Sequence, residues 1–146
     1  MINIKNEILK SKHYCYIFDT DCNSNVILDK ISSKLVQKNV IIQLNPISIP
    51  AIDFLLLCRK TRQLTSTFDS LLIIQDRLDI AHITDSDGVF LTDKTIDYKN
   101  AAALLGKDKI IGSDLTYADK ADYVISNKVV KNKLTYIINS SKSEYI

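Results

Sequence analysis

The run Leu71-Leu72-Ile73-Ile74-Gln75-Asp76-Arg77-Leu78-Asp79-Ile80-Ala81, followed by Asp87-Gly88-Val89-Phe90-Leu91 and then by Leu104-Leu105-Gly106-Lys107-Asp108-Lys109-Ile110-Ile111-Gly112, decides the fold. Three short apolar runs each end in polar or carboxylate residues, and helix-length segments separate them. A strand of a parallel sheet is buried on both faces, so it reads as an unbroken apolar run rather than an alternating one. The spacing therefore predicts successive β–α units. In such sheets the carboxyl ends of the strands build the ligand site, which places the candidate functional residues just after each run.

Working outward, Tyr14–Phe18 reads as a first strand followed by the polar turn Asp19-Thr20-Asp21. Within Asn25–Lys38, Ile27, Ile31, Leu35 and Val36 have helical spacing. Val40–Leu44 is a second strand, and Asn45-Pro46 is expected to close it because proline brings no ladder donor. Ala51–Leu64 is a second helix, with Pro50 suited to its first turn. Leu71–Ile74 is the third strand, Leu78–Ile83 a short third helix and Gly88–Leu91 the fourth strand. Tyr98–Leu105 makes a fourth helix stopped by Gly106, and Lys109–Gly112 a fifth strand. Ala121–Ile125 and Leu134–Ile138 look like further strands. Only about nine residues separate each from the strand before it, whereas a parallel crossover normally needs a dozen or more. Either these connections lack proper helices or the late strands pair antiparallel.

Composition sets wide limits. A chain of 146 residues, 46% hydrophobic and 25% charged, is expected to form one soluble domain over residues 1–146. No apolar run approaches the ~18 residues of a membrane span. Met1–Lys12 is polar and basic without an apolar core segment, which argues against a secretory signal. A net charge of +2 gives no reason to expect nucleic acid, and Lys128, Lys131 and Lys133 read as a solvated face. Cys15, Cys22 and Cys58 are odd in number and lack CxxC spacing; Cys15 and Cys58 fall in apolar stretches and read as small core side chains. His13 and His82 make no zinc pair with them, and His82 reads as a packing or surface residue. A reduced, cytoplasmic protein fits these facts.

These residues also carry a family likeness. Leu72–Gly112 resembles the thiamine-phosphate synthase/TenI family, whose members carry close relatives of I-I-N-D-R-x-D-I-A, A-D-G-V-H-L and L-L-G-x-x-x-I-I-G in that order. Upstream, Gln43-Leu44 matches the family's Q-L-R-x-K strand and Tyr16–Asp21 its opening strand. Downstream, Ala121-Asp122-Tyr123-Val124 is similar to its G-A-D-Y-V strand, so the resemblance spans residues 14–125. It implies a (β/α)₈ barrel. It implies a synthase that joins hydroxymethylpyrimidine diphosphate to thiazole phosphate with release of pyrophosphate, through a pyrimidine carbocation. Such an enzyme holds its small-molecule phosphate substrates with Mg²⁺ and cationic side chains. TenI-type relatives act on the thiazole moiety as isomerases.

Position by position the resemblance gives a mixed site. Gln43 keeps the glutamine of the second-strand motif, but Asn45 and Ile47 stand where the family has arginine and lysine. Gln75 replaces an asparagine, and Asp76 keeps the Mg²⁺-binding aspartate. The family's H-L-G-Q-x-D becomes Phe90-Leu91-Thr92-Asp93-Lys94-Thr95, which puts Thr95 at the second metal carboxylate, with Asp93 two residues earlier. Asp114 replaces the serine after the fifth strand. The G-P-V-F-x-T segment and the late phosphate-binding glycine pair have no counterpart, since the glycines are Gly88, Gly106 and Gly112. The resemblance thus implies Gln43, Asn45, Gln75 and Asp114 as substrate-binding residues and Asp76, Asp93 and Thr95 as Mg²⁺ ligands. It assigns no catalytic residue.

Charge decides what the substitutions mean. Asp19, Asp21, Asp76, Asp93 and Asp114 all fall just beyond predicted strands, and those ends share one face. Two or three carboxylates suffice for one or two Mg²⁺ ions; without the lost arginine and lysine they otherwise repel a diphosphate. Each charge-assisted contact is worth roughly 1.5–3 kcal/mol, so losing two lowers binding or rate on the order of a hundredfold or more. There is also a plainer reading. Nearly all the acidic residues are aspartates, Glu7 and Glu144 excepted, and aspartate is common in turns and helix N-caps. Asp85, Asp97 and Asp119 need no other role; Asp93 and Asp114 are open to it too.

A (β/α)₈ barrel rarely runs below ~200 residues. The expected fold is therefore α/β, a reduced or incomplete TIM-barrel-like arrangement of parallel strands with its second half abbreviated. The alternatives are an open α/β sheet and a half-barrel completed by a second copy. An unclosed barrel has edge strands that favour pairing with another chain, which makes a homo-oligomer one expected partner arrangement. Two functions from different classes follow: a thiamine-phosphate synthase with an altered, impaired site, or a non-catalytic pseudoenzyme that binds a thiamine precursor or a protein. A TenI-like isomerase is the weaker reading, because Phe90 replaces the histidine of the family's G-V-H-L strand.

Overall fold

The computed structural model describes residue 8, residues 14–37 and residues 39–124. Six strands carry the chain: β1 (Tyr14–Thr20), β2 (Val40–Pro46), β3 (Leu71–Gln75), β4 (Gly88–Leu91), β5 (Ile110–Ser113) and β6 (Tyr123–Val124). Four helices link them in turn: α1 (Ser24–Leu35), α2 (Ala51–Thr67), α3 (Leu78–Ile83) and α4 (Tyr98–Leu105). Between β5 and β6 stands only a one-turn 3₁₀ segment, Leu115–Tyr117. The strands lie in chain order, β1-β2-β3-β4-β5-β6, and every neighbouring pair is parallel. This nearest-neighbour winding is that of a (β/α) barrel. Among the described residues the sheet is open, with β1 and β6 at its edges: an incomplete barrel-like α/β fold, as expected. The predicted run Leu134–Ile138 and the Lys128, Lys131, Lys133 cluster lie outside the described residues.

Alternation along each strand sorts the core into two layers. Tyr16, Phe18, Ile42, Leu44, Leu72, Ile74, Val89, Leu91 and Ile111 face α1–α4. The helices meet them with Ile27, Ile31 and Leu35 from α1 and with Phe54, Leu57 and Cys58 from α2. These recur three or four residues apart, the spacing that gathers apolar side chains on one helical face. Thr61 and Thr65 enter the same layer because their hydroxyls donate to carbonyls of their own helix, Leu57 at 2.8 Å and Arg62 at 3.1 Å. The opposite face buries Cys15, Ile17, Ile41, Ile73, Phe90, Ile110 and Tyr123. Both buried cysteines are small core residues, as expected, and burial pushes the Cys15 thiol up to about 12.

Returns from helix to strand share one device. Asn39, Asp69 and Asp85 take left-handed backbone (φ 53°, 53° and 51°) just before β2, β3 and β4, and Gly106 ends α4 with φ 95°. Asparagine, aspartate and glycine are the residues that enter this region at least cost. A second device anchors the strand starts. Asp87 accepts the Leu72 N–H at 2.8 Å while its own N–H donates to the Leu72 carbonyl at 2.9 Å. Asp122 repeats this on Ile111, with both bonds at 2.7 Å.

Three expectations need correction. β1 does not turn at Asp19 but runs on through Thr20, paired with β2. β2 does not stop at Leu44 but runs through Pro46, paired with Thr20. The β3 side of the ladder already ends at Leu44 opposite Ile74, so proline's missing donor costs nothing there. The fifth strand is Ile110–Ser113, one residue later than read. The open question about the late strands resolves as well: β6 is parallel to β5, and its connection lacks a proper helix.

Candidate functional site

The strand alternation that buries Ile17, Ile41 and Ile73 on the inner face carries Asp19, Gln43, Asn45 and Gln75 onto that same face, at the carboxyl ends of β1–β3. Three of them are wired together. The Gln43 amide donates to Asn45 Oδ1 at 3.0 Å, and the Asn45 amide donates to Asp19 Oδ1 at 3.2 Å. Gln43 is 1% exposed, and its Oε1 is buried with no hydrogen-bond partner. A buried acceptor left unanswered costs on the order of 1–3 kcal/mol, a penalty that a ligand donor would remove. Asp19 was legible only as one of several turn aspartates; its bond to Asn45 makes it a member of this row.

Asp76 sits at the next tip and does something different. Its backbone is left-handed, φ 58°. Its carboxylate accepts the Thr92 N–H at 2.7 Å, the Asp93 N–H at 3.2 Å and a short bond from the Thr92 hydroxyl. Asp76 therefore ties the β3–α3 turn to the chain leaving β4. Thr92, which the sequence showed only as a place within a motif, is its chief partner. Asp93 in turn accepts the Thr95 N–H at 2.9 Å and hydroxyl at 2.7 Å; the hydroxyl bond first, then the amide, holds its carboxyl below the usual carboxylate range.

The remaining aspartates behave as turn and cap residues. Asp114 accepts the Thr116 N–H at 2.9 Å at the start of the 3₁₀ turn, and Asp21 accepts the Asn23 N–H at 2.8 Å. Asp97 caps α4, and Asp85 pairs with Lys109. The five strand-end carboxylates thus share one end of the sheet without converging: among the described residues no three His, Cys, Asp or Glu side chains are grouped to hold a metal. A Mg²⁺ ion is commonly held by one or two carboxylates and otherwise by substrate oxygens. A carboxylate has about four acceptor positions; Asp76 uses three, and Asp93 keeps its Oδ2.

Two cation positions implied by the resemblance are lost at the tips. Ile47, standing where the resemblance places lysine, is 61% exposed. Arg77, beside Asp76, is held by both oxygens of Asp79 at 3.0 and 2.8 Å. His82 is exposed at the end of α3 and makes no part of the tip cluster. No helix among the described residues is long and apolar enough to cross a membrane.

Parallel strands in chain order, helices on one face and polar side chains at the carboxyl tips of the other define a (β/α)-barrel-like protein with its ligand site at the strand ends. A family model described as thiamine monophosphate synthase matches residues 14–140. The chain belongs to the thiamine monophosphate synthase family. It is 36% identical over 72 residues to the thiamine-phosphate synthase of Methanobrevibacter smithii, covering 49% of this chain and 34% of that protein. It is 36% identical over 84 residues to that of Campylobacter jejuni, covering 58% of this chain and 40% of that protein. The matched stretch therefore spans well under half the length of these relatives. In fold it is similar to a thiamine phosphate pyrophosphorylase from Pyrococcus furiosus, with TM-score 0.71 and 22% identity over 91% of this chain and 77% of that one.

Proposed function

We propose that this chain is a thiamine-phosphate synthase with a weakened diphosphate site, joining hydroxymethylpyrimidine diphosphate to thiazole phosphate with release of pyrophosphate. The observation that carries the reading is the unanswered Oε1 of Gln43, buried at the inner strand tips beside Asn45 and Asp19. An aminopyrimidine offers the amine hydrogen this acceptor lacks. Gln75, on the same face one strand away, would meet the ring's other edge. The Asp19–Asn45–Gln43 chain holds the Gln43 amide in one orientation, so the acceptor is set before the ligand arrives.

Asp76 and Asp93 would hold Mg²⁺, which when bound neutralises the diphosphate and stabilises charge on the leaving pyrophosphate. Asp76 also fixes the turn on which Asp93 sits, through its bonds from Thr92 and Asp93. Asn45 offers a neutral amide where the resemblance expects a guanidinium, and Ile47 offers nothing. Binding of the anion is therefore the step that suffers. Asp114 and Thr95, occupied in their own turns, play secondary roles. Free thiols at Cys15, Cys22 and Cys58 suit a reducing, cytoplasmic setting.

The test supplies purified protein with both substrates and Mg²⁺ and measures thiamine phosphate. Turnover roughly a hundredfold below that of an unaltered relative is expected, falling further in Gln43→Leu. Absence of turnover with retained, Gln43-dependent binding of hydroxymethylpyrimidine diphosphate by calorimetry points instead to the non-catalytic binder, which the loss of cations at positions 45 and 47 favours. Neither turnover nor binding removes both readings.

A further inference from the structure

Among the described residues, four that are not glycine have left-handed backbone: Asn39, Asp69, Asp76 and Asp85. Three of them stand just before β2, β3 and β4, where the chain turns back from a helix. Asp76 alone stands at the carboxyl end of a strand. A residue with a side chain keeps this conformation where its surroundings fix it, and such positions gather at functional sites. The backbone of Asp76 is held on both sides: its N–H donates to the Phe90 carbonyl at 3.0 Å, and its carbonyl accepts the Leu78 N–H at 3.0 Å.

Its side chain is fixed more closely than a tie between two loops requires. The amides of Thr92 and Asp93, both donating to Oδ1, already join the β3 tip to the chain leaving β4. The Thr92 hydroxyl adds a bond to Oδ2. The terminal torsion of a carboxylate is broad and two-fold, so bonds from one residue to both oxygens are what stop it turning. Thr92 is itself anchored from the β5 side. Its carbonyl accepts the Thr116 hydroxyl at 3.5 Å, the Leu91 carbonyl accepts the Ser113 hydroxyl at 2.8 Å, and Tyr117 donates to the Ile96 carbonyl. Thr92 is therefore the fixed member of the pair, and Asp76 is the member it sets. Of the carboxylate's about four acceptor positions, one on Oδ2 stays open.

We propose that Thr92 is a positioning residue: its amide and hydroxyl together hold the Asp76 carboxylate so that a single Oδ2 position is left for a divalent cation. This rests on the synthase reading, which supplies the cation, and adds to it the residue that orients the carboxylate. Carboxylates that bind metals depend on such outer hydrogen bonds, whose loss typically weakens binding by about 10- to 100-fold. With a methyl in place of the hydroxyl, Oδ2 is free to turn, and the cation must fix it at a cost in affinity.

The test compares Thr92→Val, which keeps the shape and the amide but loses the hydroxyl, with Thr92→Ser, which keeps the hydroxyl, and with Asp76→Asn. Amide exchange is measured on the full chain without metal; Mn²⁺ alone is then added in steps and its affinity read from water relaxation. In Thr92→Val the Asp93 amide should exchange faster and Mn²⁺ should bind about tenfold more weakly, with Thr92→Ser close to the parent in both. Asp76→Asn should bind weakest. Thr92→Ala gives the same direction should Thr92→Val not fold. Unchanged exchange in Thr92→Val overturns the clamp whatever the metal does. Faster exchange with undiminished Mn²⁺ affinity, or a loss that Thr92→Ser does not restore, overturns the positioning role and leaves the synthase reading standing. Mn²⁺ binding that is absent from the parent, or unaltered by Asp76→Asn, removes the cation from that reading and this proposal with it.

Discussion

Between β1 and β3 the chain returns through helices of 12 and 17 residues; between β3 and β6 it returns through helices of 6 and 8 residues and a 3₁₀ turn of 3. Both halves share one parallel ladder. The first is held by long apolar helix faces, with Ile31, Leu35 and Phe54 fully buried. The second has few such faces, α4 burying only Ala101 fully, and relies on carboxylates: the Asp87 and Asp122 clasps and the Asp76 tie to Thr92. The tips differ correspondingly. Amides and one carboxylate line β1–β3, whereas hydroxyls and carboxylates closed into turns line β4–β5. One architecture is kept by two kinds of bond.

Truncating a helix face in the first half tests this most severely. Phe54→Ala should cost about 3–5 kcal/mol in chemical denaturation, as buried aromatic deletions do; a loss below about 1 kcal/mol, the size of an ordinary surface change, would mean that helix packing does not carry that half. In the second half the close approaches of backbone matter more. A Cβ on Gly88 would overlap the Ile110 carbonyl, while one on Gly112 would meet the Tyr123 ring. A carbonyl in a ladder cannot move and a ring can. Gly88→Ala should therefore cost about 3 kcal/mol and Gly112→Ala less, by the same measurement.

The clasps should register next. Asp122→Asn replaces an acceptor with a group that can turn a donor toward the Ile111 N–H, at a cost of about 1–2 kcal/mol. Faster amide exchange at Ile111 should accompany it, with Ile31 and Leu35 unchanged. Acid gives the gentlest probe. The side-chain bond from Arg77 holds the Asp79 carboxyl below the usual range, and Lys109 does the same for Asp85. Carboxyls lowered in the folded state add stability above their unfolded value, near pH 4, and that stability is lost as pH falls through the lower folded values. Both carboxylates are exposed, so the loss should stay under about 1 kcal/mol. It should be seen as faster exchange in α3 before α2, and Arg77→Ala should remove part of it.

Much of this division could be read from the residues. Leu78–Ile83, Gly88–Leu91 and Tyr98–Leu105 fall where turn chemistry marks them, with Asp97 as cap and Gly106 as stop. The inner-face placement of Gln43 and Gln75 follows from strand alternation alone. The direction of β6 was not legible, because loop length argues against a parallel return while the Asp122 clasp that fixes it is a tertiary contact. Its signal was present, however: Ala121-Asp122-Tyr123 repeats the aspartate-before-strand pattern of Ser86-Asp87-Gly88. The candidate site was less readable still. A family motif marks Asp76 as a metal ligand, but no local rule tells that Thr92 and Asp93 will take three of its acceptor positions. Nor does the spacing of Gln43 announce that one of its atoms is buried unanswered.

Strand order has a consequence for how the molecule assembles in time. Ile41 pairs with Leu71, thirty residues on, whereas Gly112 pairs with Tyr123, only eleven on. By the logarithmic rule for chain closure, the shorter span is favoured entropically by about 0.9 kcal/mol. The last strands are thus the cheapest to bring together.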